Sequence, residues 1–107
     1  MQYGQRTPQD FILLGDAQRY SGKYTDAIRT YQEALNQSPG NAKALSGLAY
    51  AYMLSGDTTT ATKICQSGFK QTDEAGKRTL SETLRTVESS RLQAAEDKNM
   101  SLALNRS

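Results

Sequence analysis

Two Ser-Gly dipeptides, Ser21-Gly22 and Ser55-Gly56, stand thirty-four residues apart in a chain of 107. The residues around them keep the same offset: Leu14 falls on Leu48, Ala17 on Ala51, Thr25 on Thr59, Ala27 on Ala61, Gln32 on Gln66 and Gln37 on Gln71. Identity is modest, but the turn glycines and the small alanines coincide, which marks one supersecondary unit used twice. Such a unit cannot bury its apolar face alone and must stack on a neighbour. This requirement limits the fold more than composition does.

Local signals divide each unit into two helices. Thr7 is a good N-cap, Pro8 suits the first helical position, and Asp10 stands where a capping box has its acid. Phe11, Leu14 and Gln18, with Ala17 beside them, have helical spacing, and Ser21-Gly22 stops the run. A second helix is predicted from Tyr24, with Ala27, Ile28, Tyr31, Ala34 and Leu35 facing inward, until Ser38-Pro39-Gly40 breaks it. Asn41 caps a third helix carrying Leu45, Leu48, Ala49 and Tyr52, which ends at Ser55-Gly56. Asp57 caps a fourth with Ala61, Ile64, Cys65, Gly68 and Phe69; Thr58, Thr59 and Thr60 make it the weakest by propensity.

This spacing resembles the tetratricopeptide repeat, a helix–turn–helix of 34 residues. The first half carries the resemblance in Phe11, Leu14, Gly15, Ala27, Tyr31, Ala34 and Pro39, with Gln18 in place of the usual Tyr. The second carries it in Leu45, Leu48, Ala49, Tyr52, Ala61, Cys65 and Gly68, with Asp73 where the family usually has Pro, so a looser turn is expected there. Small residues such as Gly15 and Ala27 let antiparallel helices approach, while Phe11, Leu14 and Tyr31 fill the space around them. The resemblance implies an all-α, α-α superhelix of about five helices in a single domain. Residues 8–41 form one repeat, 42–75 a second and 76–96 a capping helix, with 97–107 read as a mobile tail, a helical extension or a docking strip for another copy.

The capping helix is read over 74–96 from Leu80, Leu84 and Val87, which reach the packing positions only if the stride slips by one residue. Its charges are spaced for Glu74–Arg78, Glu82–Arg85 and Glu88–Arg91 pairs on an outer face. Past Asp97 the apolar period fades, leaving Leu102 and Leu104.

Composition narrows the chemistry. Leu, Ile, Val and Phe together number only 17 of 107, yet 13 basic and 11 acidic residues nearly cancel, so the chain lacks the high net charge of a disordered one. Its 12 alanines and 6 tyrosines suit closely packed helices instead. With no His and a single Cys, a His base, a His-ligated metal and an internal disulfide are excluded. Asp10, Asp16, Asp26, Glu33 and Asp57 are scattered without forming an acid/base pair, and no P-loop, dinucleotide glycine pattern or calcium loop is present. A net charge of +2 is too low for the dense basic patch that nucleic acid requires. The longest strongly apolar run, Phe11 to Leu14, is far short of a membrane span, and no signal-peptide pattern opens the sequence. Cys65 reads as a small buried hydrophobe. These features favour a non-catalytic protein without cofactor, placed in the cytoplasm only because no export feature is visible.

In the tetratricopeptide family the first helix of each pair lines a concave groove that holds peptides. By register, the resemblance implies a groove formed by Gln9, Ile12, Asp16, Arg19, Lys43, Ser46, Tyr50 and Met53, joined by Arg78, Ser81 and Arg85 from the capping helix. One subfamily grips the C-terminal carboxylate of heat-shock chaperones with a Lys/Asn/Arg clamp; here Ile12, Asp16 and Tyr50 stand in those places, and the clamp is absent. Tyr50 and Met53 read either as apolar contacts for a partner or as packing against a neighbouring helix. Lys43, Arg78 and Arg85 read either as a basic strip for an acidic peptide or as an ordinary solvated face. The expected function is protein–protein interaction through that groove. The alternatives are a self-associating scaffold repeat whose end faces pair between copies, and a fragment of a larger membrane-tethered assembly factor.

Overall fold

The computed structural model describes residues 6–106. Five helices follow one another: α1 (Pro8–Tyr20), α2 (Tyr24–Gln37), α3 (Ala42–Leu54), α4 (Thr58–Gly68) and α5 (Glu74–Arg106). α1 and α2 form one antiparallel pair and α3 and α4 the next; α5 packs across α3 and α4. This is the expected helical-repeat superhelix, and its helix ends follow from local chemistry. Thr7 and Asp10 form a reciprocal capping box, with the Asp10 N–H donating to Thr7 Oγ1 at 3.2 Å and the Thr7 N–H to Asp10 Oδ2 at 3.0 Å. Asn41 Oδ1 accepts from the Ala44 N–H and Asp57 Oδ1 from the Thr60 N–H. α1 and α3 end in the same Schellman turn. The N–H groups of Lys23 and Asp57 reach back to the carbonyls of Gln18 and Tyr52, each at 2.8 Å. Gly22 (φ +80°) and Gly56 (φ +97°) hold the left-handed residue this turn demands.

At the turn before α5, Asp73 acts as a cap: its Oδ1 accepts the Gly76 N–H of the incoming helix at 2.7 Å. The Ser38–Gly40 break also packs on this turn, because a Cβ at Gly40 would meet the Gln71 carbonyl.

Three apolar clusters run along the array. Ile12, Ala34 and Ala44 join α1, α2 and α3; Ala27, Tyr31, Leu48 and Ala51 join α2 and α3; Ala49, Ala61, Cys65 and Val87 join α3, α4 and α5. Leu14 does not fill the first pair as expected. It remains 37% exposed, because no earlier element covers that side of α1 among the described residues.

The key contact is the ring of Tyr31, fully buried between two helical glycines. A Cβ on Gly15 of α1 would lie 2.7 Å from Tyr31 Cε1, and one on Gly47 of α3 would overlap the same ring. In a free helix Ala is favoured over Gly by about 1 kcal/mol. Here the ring has no room to yield, and overpacking a tight core costs about 1–3 kcal/mol. Gly47→Ala is therefore expected to lower stability by roughly 1–2 kcal/mol, which a urea melt compared with wild type checks.

On α5, Leu80, Thr83 and Val87 are buried and Leu84 half-buried, so the one-residue slip in stride is what the fold uses. Leu80 packs against Gly68, where a Cβ would meet it 2.7 Å away. Glu88 pairs with Arg91 at 2.8 Å as expected, but Glu74 pairs with Lys77 at 3.1 Å rather than with Arg78. Glu82 and Arg85 form no ion pair among the described residues. The helix also runs to Arg106, ten residues past the expected end at 96. Lys98, Met100, Leu102, Ala103, Leu104 and Arg106 make up six of these ten residues, and all propagate a helix well after the apolar period has faded.

Candidate functional site

The inner layer of α1, α3 and the start of α5 encloses a concavity of about 340 Å³ lined by Gln9, Ile12, Asp16, Arg19, Lys43, Ser46, Gly47, Tyr50 and Thr79. Its floor is the edge of the Tyr31 sandwich. The Tyr31 hydroxyl donates to Asp16 Oδ1 and accepts from Arg19 Nε at 3.0 Å, while Arg19 Nη2 lies 3.4 Å from the same Asp16 oxygen. The Arg19 guanidinium also sits 5.4 Å from the ring centroid of Tyr50 and 4.6 Å from that of Tyr20. One buried phenol thus fixes an acid, a base and two aromatic rings. Burial pushes the Tyr31 pKa well above the usual tyrosine range, so the hydroxyl stays protonated and keeps donating.

The structure sorts the eleven residues expected in the groove. Gln9, Asp16, Arg19, Lys43 and Tyr50 line the concavity with side chains at least partly accessible. Ile12 borders it from beneath: at 3% exposure it belongs to the cluster with Ala34 and Ala44. Ser46 is buried too, and its hydroxyl bonds Thr83 of α5 at 2.6 Å, so it ties the capping helix down. Met53 packs on the cluster of Ala49, Ala61, Cys65 and Val87. Arg78 and Arg85 lie apart from the concavity, in a shallow depression with Glu74, Lys77, Ser81 and Glu82. With Glu74 and Glu82 beside them, they do not join Lys43 in one basic strip.

Sequence reasoning missed Gly47 and Thr79. Gly47 carried a signal, since a glycine in mid-helix is unfavourable without a packing reason. Thr79 carried none, because its place depends on how α5 crosses α3. Gln18, which replaces the family's usual Tyr, accepts from the Thr30 hydroxyl at 2.7 Å and links α1 to α2.

Cys65 is fully buried, and burial pushes its thiol up to about 11. A folded-state pKa above the unfolded value means that the stabilisation is complete below about pH 9 and is lost as pH rises towards 11. Tyr31 acts in the same direction from about pH 10 upward. We expect stability to fall across this alkaline range, with a shallower fall in Cys65→Ala, as measured by urea melts at successive pH values.

The tetratricopeptide repeat family profile matches residues 19–80, from the end of α1 into α5. That is more than half of the chain, which folds as two stacked helix pairs, and the chain belongs to the tetratricopeptide repeat family. A comparison with curated proteins finds no significant match. Members of the family generally mediate protein–protein interaction and are typically non-catalytic. No helix among the described residues is long and apolar enough to cross a membrane.

Proposed function

We propose that this protein is a non-catalytic interaction module and that the concavity between α1, α3 and α5 receives a peptide segment of a partner protein. The observation that carries this reading is the division of labour within the hollow. Two of its polar residues, Asp16 and Arg19, are already paired with one another and with the buried Tyr31 hydroxyl beneath them. Its rim, built from three helices, offers the ammonium of Lys43, the amide of Gln9, the hydroxyl of Thr79 and the half-buried ring of Tyr50. A rigid floor under an adaptable rim lowers the ordering cost of binding. Tyr50 is the natural anchor, being aromatic, half-buried and held by Arg19. Lys43 favours an acidic side chain close to the residue that meets Tyr50.

The test is to select binding peptides from a random displayed library on the wild-type chain and to measure their affinity for Tyr50→Ala and Lys43→Glu. Each variant is expected to weaken binding about tenfold or more, the loss of one hot-spot contact. Unchanged affinity in both variants, with melting behaviour intact, would count against the groove.

A further inference from the structure

Tyr50 is the one aromatic residue lining the hollow among the described residues, and the core does not hold its ring. It belongs to none of the three apolar clusters and stands half-buried on α3. The contact that reaches it from α1 is the Arg19 guanidinium, 5.4 Å from the ring centroid. Arg19 is held in turn from below. Its Nε donates to the Tyr31 hydroxyl at 3.0 Å, and its Nη2 lies 3.4 Å from Asp16 Oδ1, which accepts from the same hydroxyl. Tyr31 is fully buried between Gly15 and Gly47, so this anchor has no room to shift. Three helices thus supply one relay: the phenol from α2, the guanidinium from α1 and the half-buried ring from α3.

Arginine suits the middle of this relay for a geometric reason. A planar guanidinium can donate in its plane through Nε while its face attracts an aromatic ring. A lysine ammonium keeps the charge but is a point on a flexible stem, and it cannot fix a ring in the same way. Arg19 is also poorly placed to meet a partner itself. Its side chain is 14% exposed and its charge is met by Asp16, whereas Lys43 is exposed and forms no ion pair among the described residues.

Given the peptide groove proposed above, on which this step rests, we infer that Arg19 is a positioning residue: the Tyr31 hydroxyl and Asp16 orient it, and it sets the Tyr50 ring against the bound segment without touching that segment. A buried hydroxyl that never meets the partner then governs how tightly the partner is held. The gain is entropic, because a ring already held in its bound orientation loses little freedom on binding. Arg19, Tyr31 and Tyr50 therefore act as a unit, and their substitutions are not additive.

The experiment uses the full chain with labelled tyrosine rings, the Tyr50 signals being assigned from Tyr50→Phe, together with peptides selected on wild type. Arg19→Lys keeps the charge and Tyr31→Phe keeps the buried ring; melting curves verify that both variants are folded at the temperature used. In the free chain both are expected to shift the Tyr50 ring signals, which a loss of stability alone would not move. Both are expected to weaken peptide binding about threefold to tenfold, the worth of a cation–π contact. The double variant should lose no more than the larger single loss. In a Tyr50→Ala background, itself weakened, either substitution should change affinity by less than about twofold. Unmoved ring signals, additive losses in the double variant, or an undiminished loss in the Tyr50→Ala background would overturn the inference and leave the groove standing; the last would mean that Arg19 touches the partner itself. Full affinity in Tyr50→Ala would overturn the groove reading, and the part of Arg19 in binding with it.

Discussion

Tyr31→Ala is expected to remove about 3–5 kcal/mol, the cost of emptying a core aromatic site that cannot collapse. Collapse is prevented by the residues that make the site narrow. Gly15 and Gly47 have no side chains to swing into the space, and the helices that carry them are held by their own caps. Domains of this size have about 5–15 kcal/mol of stability in all, so the variant should be largely unfolded at modest urea concentrations. Tyr31→Phe separates packing from polarity. It keeps the ring and removes one hydroxyl from Asp16 and Arg19, which still have each other at 3.4 Å. We expect a loss of about 1–2 kcal/mol there. Denaturation curves of the two variants check both values. A Tyr31→Ala loss below that of Tyr31→Phe would mean that the ring does not organise the array.

Leu80→Ala is expected to cost about 2–5 kcal/mol, although Leu80 lies outside both repeats. Its side chain is fully buried and fills the space above Gly68, beside Leu45 of α3. Without it, α4 loses the cover that the last pair of a stacked array requires. The neighbouring Thr83 contributes differently, through its bond to Ser46. A loss under 1 kcal/mol on Leu80→Ala, measured by urea or thermal unfolding, would show that α5 is not the cap on which the second repeat relies.

The turns and caps were legible because their causes are local. A Thr, Asn or Asp before a helix and a Gly after it act through neighbours in sequence, and Thr7, Asn41, Asp57, Gly22 and Gly56 all do so here. The constant stride placed Gln9, Asp16, Arg19, Lys43 and Tyr50 on one inner face, and all five line one hollow. Register states which way a residue points but not what arrives to cover it. Ser46 was hidden by α5, whose crossing depends on the one-residue slip, and Ile12 by the second and third helices, while Met53 packs in part on the cluster shared by α3, α4 and α5. Leu14 erred in the other direction, since a repeat position that is buried inside an array is open at its first unit. The hydrogen bonds linking Tyr31 to Arg19 and Asp16 had no sequence signal, because they span twelve and fifteen residues and depend on tertiary packing.

The proposed seat of a partner segment is the rim above Tyr31. Amide chemical shifts of the labelled chain, followed during titration with a peptide selected on it, test this most directly. The largest changes should fall on Gln9, Asp16, Lys43, Tyr50 and Thr79, with smaller ones on Gly15 and Gly47 beneath them. Changes centred instead on Thr59, Lys63 and Gln66 of α4, with the concave residues unmoved, would place the partner segment on the outer face and rule out the groove.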